Sequence, residues 1–217
     1  NVRMTLEIVS FKLGPMQNNS YLLVDLDDRT AVCIDPSFGS HVILDRMRQE
    51  NWTLAQIWIT HAHFDHYIGV TPLVEAFQPH IKVGLHKDDL DLWEKGGEAA
   101  GLGVSIDVKV KPSLFFTHHQ ILRVGNHNVE ARHTPGHTPG HVAFYVPDLA
   151  TLFCGDVIFY QSIGRTDMSY SSTEAIMRSI QTQILTLPQE TKLLSGHGQE
   201  TSVKHEKFYN PFLQDLL

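Results

Sequence analysis

His61-Ala62-His63-Phe64-Asp65-His66 places three imidazoles and a carboxylate within six residues. Burying such groups without partners is costly, so the cluster reads as chemistry rather than core. It follows the apolar run Ile57 to Thr60 and precedes a helix marked by Val70, Leu73, Val74 and Phe77 on one face. On a tight loop between strand and helix, positions two apart can turn towards one cation and the next pair towards a second. Imidazole and carboxylate together suit zinc, iron or manganese.

Three further segments carry the same residue types. In His133-Thr134-Pro135-Gly136-His137-Thr138-Pro139-Gly140-His141, two Pro-Gly pairs hold the backbone in turns and present His137 between them. Phe153-Cys154-Gly155-Asp156 ends an apolar run in an acid, and Ser195-Gly196-His197-Gly198 sets a histidine between glycines after the short strand Lys192 to Ser195. Each segment alone is a weak signal, because a lone loop histidine is usually solvated. Together they put an acid or a histidine after several successive strands, as a site along one sheet edge requires.

The elements that must position these residues follow from apolar patterning. Leu6, Ile8 and Phe11 mark one strand; Tyr21 to Val24 and Ala31 to Ile34 flank a turn at Asp27-Asp28. Ser40 opens a helix with Ile43, Leu44 and Met47 at helical spacing, and Ile81 to Leu85 reads as a strand. A short helix carries Leu90, Leu92 and Trp93, and Gly96-Gly97 to Gly103 reads as a mobile loop. Phe115-Phe116 reads as core. Strands follow over Ile121 to Val124, Asn128 to His133, Val142 to Val146 and Leu152 to Cys154. Ser171 and Glu174 form a capping-box pair for a helix with Ile176, Ile180, Ile184 and Leu187 in one stripe, closed by Pro188. With strands before helices in each half and no Pro-, Gly- or Ser-rich linker, the chain reads as one α/β domain over residues 1–217, a two-sheet core with helices outside.

Composition narrows the function. A chain of 217 residues with 42% hydrophobic and 19% charged residues fits neither disorder nor a membrane bundle. No apolar run is long enough to span a membrane. The net charge of −7, with no run of Lys and Arg, argues against nucleic acid and against an anionic membrane surface as partners. Cys33 and Cys154 cannot make a disulfide framework and read as buried, reduced thiols. With no long apolar stretch over Asn1 to Ser10, they set the expectation of a cytoplasmic protein. Histidine stands out at 14, against 17 Lys plus Arg.

The order HxHxDH, then His137 within TPGHTPGH, then Asp156 after a glycine, then GHG resembles the metallo-β-lactamase fold superfamily, over the span from Asp35-Pro36 to His197. Gly155-Asp156-Val157-Ile158-Phe159 and Ser162-Ile163-Gly164-Arg165-Thr166-Asp167 bring it nearest to the glyoxalase II-like hydrolases. The resemblance implies an αββα sandwich of two pseudo-symmetric halves. It also implies two divalent metal ions, zinc foremost, with iron or manganese as alternatives. His61, His63 and His137 would hold the first, Asp65, His66 and His197 the second, and Asp156 would bridge them. A hydroxide shared by the metals is the implied nucleophile, with Asp65 as the catalytic residue that orients it or relays its proton.

The activity this implies is thioester hydrolysis of the hydroxyacylglutathione hydrolase kind, on a small, anionic thioester. A leaving thiolate, with a pKa of about 8.5, needs little protonation, whereas an amide needs an acid that does not announce itself outside the ligand set. Arg165 is the expected substrate-binding residue, reading a carboxylate by paired hydrogen bonds; an ion pair with Asp167 is the competing role. Asp35 is expected to orient a ligand histidine, and Tyr67 to narrow the cleft. With 20 residues after His197, the chain is expected to do without the C-terminal helical extension that holds glutathione in glyoxalase II enzymes. Asp167 and Gln199 replace expected tyrosines, which puts glutathione specificity in doubt. The alternatives are a persulfide dioxygenase, which keeps similar residues around a single iron, and a lactone hydrolase. An exported β-lactamase and a nuclease are disfavoured by the opening residues and the acidic balance. His133 and His141 read as packing around the His137 turn; His41, His80, His86, His118, His119, His127 and His205 read as solvated. The oligomeric state stays open.

Overall fold

Alternation along the strands decides the layering. In β2 (Asn18–Asp25) and β3 (Thr30–Ile34), Leu22, Val24, Ala31 and Cys33 face one side and Tyr21, Leu23, Val32 and Ile34 the other. All eight are buried, so both faces of this sheet need a cover, and such strands read as continuous apolar runs. The first cover is helical: α1 (His41–Glu50) and α2 (Val70–Phe77) contribute Ile43, Met47, Val70 and Leu73 to the cluster around Leu22 and Cys33. The second is another sheet, whose Val129, Ala131, Phe144 and Phe153 pack against Leu23, Val32, Ile34 and Trp58. A third cluster joins the outer face of that sheet, Ala143, Leu152 and Cys154, to Ile176, Ile180, Ile184 and Val203. Three apolar interfaces make four layers, αββα, as expected.

The computed structural model describes residues 5–77 and 80–216, and the expected domain limits at 1 and 217 lie outside them. The first half of the chain builds one six-stranded sheet in the order β1-β2-β3-β4-β5-β6, adding β1 (Leu6–Leu13), β4 (Thr53–Trp58), β5 (Lys82–His86) and β6 (Leu114–Phe116). The second half builds another, β14-β13-β10-β9-β8-β7. Its strands are β7 (Ile121–Val124), β8 (His127–His133), β9 (Val142–Val146), β10 (Thr151–Gly155), β13 (Lys192–Ser195) and β14 (Thr201–Ser202). A small hairpin, β11 (Ile158–Phe159) with β12 (Ser162–Ile163), lies between β10 and β13 in sequence. Parallel pairing of β3 with β4 and of β10 with β13 brings their C-terminal ends to common edges. Among the described residues no helix is long and apolar enough to cross a membrane. Both cysteines are buried and free.

Several expectations shift. The helix after Ser171 is capped by Ser172, whose Oγ accepts the Ala175 N–H at 3.1 Å, and begins α4 (Thr173–Ser179), continued by a wider turn over Ile180–Ile184. Ser171 instead donates to the His137 carbonyl at 2.9 Å. The short helix over Leu90 is α3 (Leu90–Glu94). The loop read as mobile is anchored at Gly97, buried at φ +59° with its carbonyl on the Phe64 N–H at 3.0 Å; Gly101 to Gly103 stay exposed. In β6 only Phe116 is core, because strand alternation turns Phe115 outwards. Residues after His197 form α5 (Val203–Tyr209), which the sequence reading did not mark.

Candidate metal centre

His61 follows β4, Asp35 follows β3, Asp156 follows β10, His197 follows β13 and His137 lies in the turn between β8 and β9. The two sheet edges are joined here: Asn18 bridges to His197, and the Asn19 N–H donates to the Gly196 carbonyl at 2.8 Å. Glycine at 196 is required by close approach, since an added Cβ would collide with the Asp156 carboxylate and the His66 ring.

In each of the five expected ligand histidines one ring nitrogen is engaged, which fixes the role of the other. His66 Nδ1 donates to Asp35 Oδ2 at 2.8 Å. Thr60 Oγ1 spends its proton on Asp35 Oδ2 at 2.6 Å, so it accepts from His61 Nδ1 at 2.9 Å. His137 Nδ1 donates to the Arg165 carbonyl at 2.8 Å, and His197 Nδ1 lies 3.3 Å from the Met16 carbonyl. His63 alone uses Nε2, 2.8 Å from the Tyr170 hydroxyl. Such outer partners set tautomer and ring orientation at metal sites. Asp156 Oδ2 sits amid the free nitrogens, 3.2 Å from His66 Nε2, 3.5 Å from His197 Nε2 and 3.7 Å from both His61 and His137 Nε2. Asp65 Oδ2 is 3.2 Å from His197 Nε2 and 3.3 Å from His66 Nε2, held by the Asn18 amide at 2.8 Å.

Donor atoms of His61, His63 and His137 lie within 4.8 Å of one another, and so do those of Asp65, His66 and His197. Four buried atoms in this cluster have no hydrogen-bond partner: His61 Nε2, His66 Nε2, His137 Nε2 and Asp156 Oδ1. Buried polar atoms are rarely left unpaired, and converging lone pairs from imidazole and carboxylate are the donor set of a divalent cation. The residues fit metal.

Charge is arranged to the same end. Burial first, then the neighbouring histidines, holds His61 well below its ordinary pKa and His63 down to about 3, so both are neutral electron-pair donors at pH 7. Burial alone would raise Asp65 and Asp156, but His66 and the surrounding hydrogen bonds outweigh it and keep both below the usual carboxylate range. Burial would lower His66, yet Asp156, Asp65 and Asp35 raise it well above normal. Without metal the site thus draws a proton onto His66 among three carboxylates.

Asp35 occupies a left-handed backbone position, φ +51°, which costs a non-glycine residue energy and marks a functional constraint. Its Oδ1 accepts the Thr60 N–H at 2.7 Å while Oδ2 serves Thr60 and His66. Asp35→Ala is expected to lower metal affinity about 10–100-fold, the cost of losing such a partner, as read by competition with a chromophoric chelator; unchanged affinity would reduce Asp35 to a turn residue.

Sequence reasoning missed Asn18, Thr60, Tyr170 and above all Asp89. The buried Asp89 carboxylate accepts the Ala62 N–H at 2.9 Å, the Thr138 hydroxyl at 2.8 Å and the Gly140 N–H at 2.6 Å. It clamps the loop carrying His61 and His63 to the turn carrying His137. His141 packs as expected, with Nε2 accepting the Asp156 N–H at 3.0 Å.

Three expectations are corrected, those for Tyr67, His86 and His127. Tyr67 does not narrow the cleft: it is buried and stacked on Trp93 at 3.9 Å, because its aromatic ring finds an apolar partner behind the loop. His86 is buried rather than solvated, because alternation in β5 turns it inwards onto the His133 ring. Arg165 lines the cavity, as a substrate-binding residue would, and its guanidinium also grips Asp167, the competing partner, in a two-pronged contact at 2.7 and 2.9 Å. His127 is half-buried on Asp148. The cavity, about 640 Å³, opens beside His63, Asp65, His137, Asp156 and His197, with Met16, Leu102, Phe159, Ile163 and Met168 as apolar wall.

Comparison with known proteins matches residues 13–197 to the metallo-beta-lactamase superfamily. The chain is 38% identical to the probable metallo-hydrolase YqgX of Bacillus subtilis, over 93% of this chain and 94% of that protein. It is 32% identical to the hydroxyacylglutathione hydrolase GloC of Haemophilus influenzae, over 97% and 98%. Among solved structures it is similar to the B3 metallo-beta-lactamase BLEG-1, with TM-score 0.87 and 36% identity over 96% of this chain and all of that one. It is also similar to TTHA1623 in a di-iron-bound form, with TM-score 0.82 and 35% identity over 94% and 100%.

Proposed function

The chain belongs to the metallo-β-lactamase superfamily, and from that premise we propose that it is a binuclear metal-dependent hydrolase acting on thioesters. The observation that carries this reading is the set of five histidines, each with one nitrogen held and the other free to turn inwards, around the shared Asp156 carboxylate. His61, His63 and His137 would hold one ion, Asp65, His66 and His197 the other, with Asp156 available to both; zinc suits the donor set, and iron or manganese is compatible with it. When bound, such ions supply a water that ionises near neutral pH and an electrophile for the substrate carbonyl.

The chain's own residues do the rest. Asp65, ionised and fixed by Asn18, accepts a hydrogen bond from the attacking water and aims it. Outside the ligand set, the one carboxylic acid among the described residues lining the cavity is Glu98, exposed at its rim, so the wall offers little to protonate an amine. A thiolate leaves without that help, which favours a thioester over the β-lactam of the BLEG-1 neighbour. The similarity to GloC supports the same choice. The apolar wall of Met16, Leu102, Phe159, Ile163 and Met168 suits the carbon chain of the substrate.

At the anionic end, Arg165 can exchange Asp167 for a substrate carboxylate, because an ion pair this exposed is worth only about 0–1 kcal/mol. Arg165→Ala is expected to raise KM about tenfold, the loss of a contact worth about 1.4 kcal/mol, with kcat and Tm unchanged. A fall in Tm at constant KM would make the pair with Asp167 its whole role.

The test of the reading is turnover of a small panel by the metal-loaded protein: S-lactoylglutathione, simple acyl thioesters, a lactone, a β-lactam and glutathione persulfide. Thioester cleavage with free thiol released is the expected result. Oxygen uptake with the persulfide and no thioester turnover would replace the proposal with a dioxygenase, and selective lactone opening with a lactonase.

A further inference from the structure

Histidine excess is not exhausted by the principal centre. His86 closes β5 in one sheet and His133 closes β8 in the other, and their rings stack at 4.1 Å and 7°. His133 Nε2 donates to the Pro139 carbonyl at 2.9 Å, which leaves the lone pair on Nδ1. His86 Nδ1 accepts the Asp88 N–H at 3.2 Å, so its lone pair is also on Nδ1, 3.7 Å from Asp88 Oδ2. One donor atom from each of His86, Asp88 and His133 lies within 4.8 Å of the others. Two imidazoles and a carboxylate are therefore within reach of one ion; the stacked rings hold their lone pairs in parallel planes, and His86, kept in place by a single long hydrogen bond from a main-chain N–H, is the ring that turns to share a cation with His133.

We propose that His86, Asp88 and His133 form an auxiliary site for a borderline divalent cation such as Zn²⁺ or Ni²⁺, separate from the principal centre. Two imidazoles and one carboxylate match that class of ion, whereas magnesium and calcium call for oxygen donors. His133 already has the arrangement usual for a ligating histidine, with the second ring nitrogen donating to a main-chain carbonyl. Asp88 is exposed, so water completes the coordination sphere. A cation here ties the ends of β5 and β8 across the two sheets and braces Asp89, the next residue after Asp88, in its clamp on the metal-bearing loops. A ligand that binds only the folded chain stabilises it, so occupancy raises Tm.

The test is equilibrium dialysis of the full chain against Zn²⁺, with bound metal counted per chain. Asp88→Ala, whose exposed side chain leaves folding intact, is expected to bind one Zn²⁺ fewer than wild type and to lose the last increment of Zn²⁺-dependent Tm. His133→Gln should repeat the loss, while His118→Ala with His119→Ala should retain the wild-type count. Because the readout is a difference between variants, it holds whatever number of ions the principal centre takes. Equal Zn²⁺ counts in wild type, Asp88→Ala and His133→Gln would overturn the proposal, as would a loss that follows His118 and His119 instead.

Discussion

Asp156→Ala is expected to lower kcat/KM for the proposed thioester substrate by about three orders of magnitude, roughly 4 kcal/mol of transition-state stabilisation. Its Oδ2 is the one carboxylate oxygen within 3.2–3.7 Å of four ligand nitrogens, so its loss strips negative charge from both halves of the centre at once. In the proposed two-ion centre the cations would repel without their shared anion, so bound metal should fall alongside activity. Asp156→Asn separates charge from packing: it preserves volume yet leaves a neutral amide facing the free nitrogens. The asparagine variant should be nearly as inactive as the alanine one. Retention of activity within about tenfold of wild type, about 1.4 kcal/mol, would contradict a shared ligand at this position.

The second large effect belongs to a residue with no metal contact. Asp89→Ala removes the acceptor for the Ala62 N–H, the Thr138 hydroxyl and the Gly140 N–H in a fully buried place. Each stranded donor costs about 1–3 kcal/mol; with water partly filling the space, a total of about 4 kcal/mol is expected. For a chain of this size that lowers Tm by about 10 °C. The loss should be uneven at the metal centre, because Asp89 ties the loop of His61 and His63 to the turn of His137 and does not touch Asp65, His66 or His197. Bound metal is expected to fall towards one ion per chain while the second set holds its own. Asp89→Asn, which turns an amide donor towards a donor, should fall between wild type and alanine. Differential scanning calorimetry and metal analysis on the same samples check both halves; a lowered Tm with full metal content would make Asp89 a fold residue only.

Legibility in the sequence follows distance along the chain. His61 to His66 announces itself because its residues are neighbours, and the Pro-Gly pairs isolate His137 in the same local way. Strands such as Ala31 to Ile34 and Leu152 to Cys154 are legible as apolar runs because helices cover one face and the partner sheet the other. Sheet order is not legible, since it depends on which runs pair. Asn18 and Asp89 were missed for the same reason: Asn18 meets Asp65 across 47 residues, and Asp89 reaches Ala62 across 27 and Gly140 across 51. Asp89 sits just before α3 and resembles an ordinary helix-capping acid. His86 looked solvated because it opens the polar run His86-Lys87-Asp88-Asp89; the ring it stacks on, His133, lies on the other sheet. The cap of α4 slipped by one residue because Ser171 and Ser172 are chemically alike, and only the fold shows that one caps the helix while the other holds the His137 turn.

The central claim is that two ions, held by these seven side chains, make the chain a thioester hydrolase. The most direct measurement strips the protein with chelator and then returns Zn²⁺ in fractions of an equivalent while following thioester cleavage, using the Asp88→Ala chain to keep the auxiliary ligands out of the count. The account predicts no turnover in the stripped protein and a rise that saturates at two ions per chain. Undiminished turnover without metal, or full turnover at one ion, would contradict it.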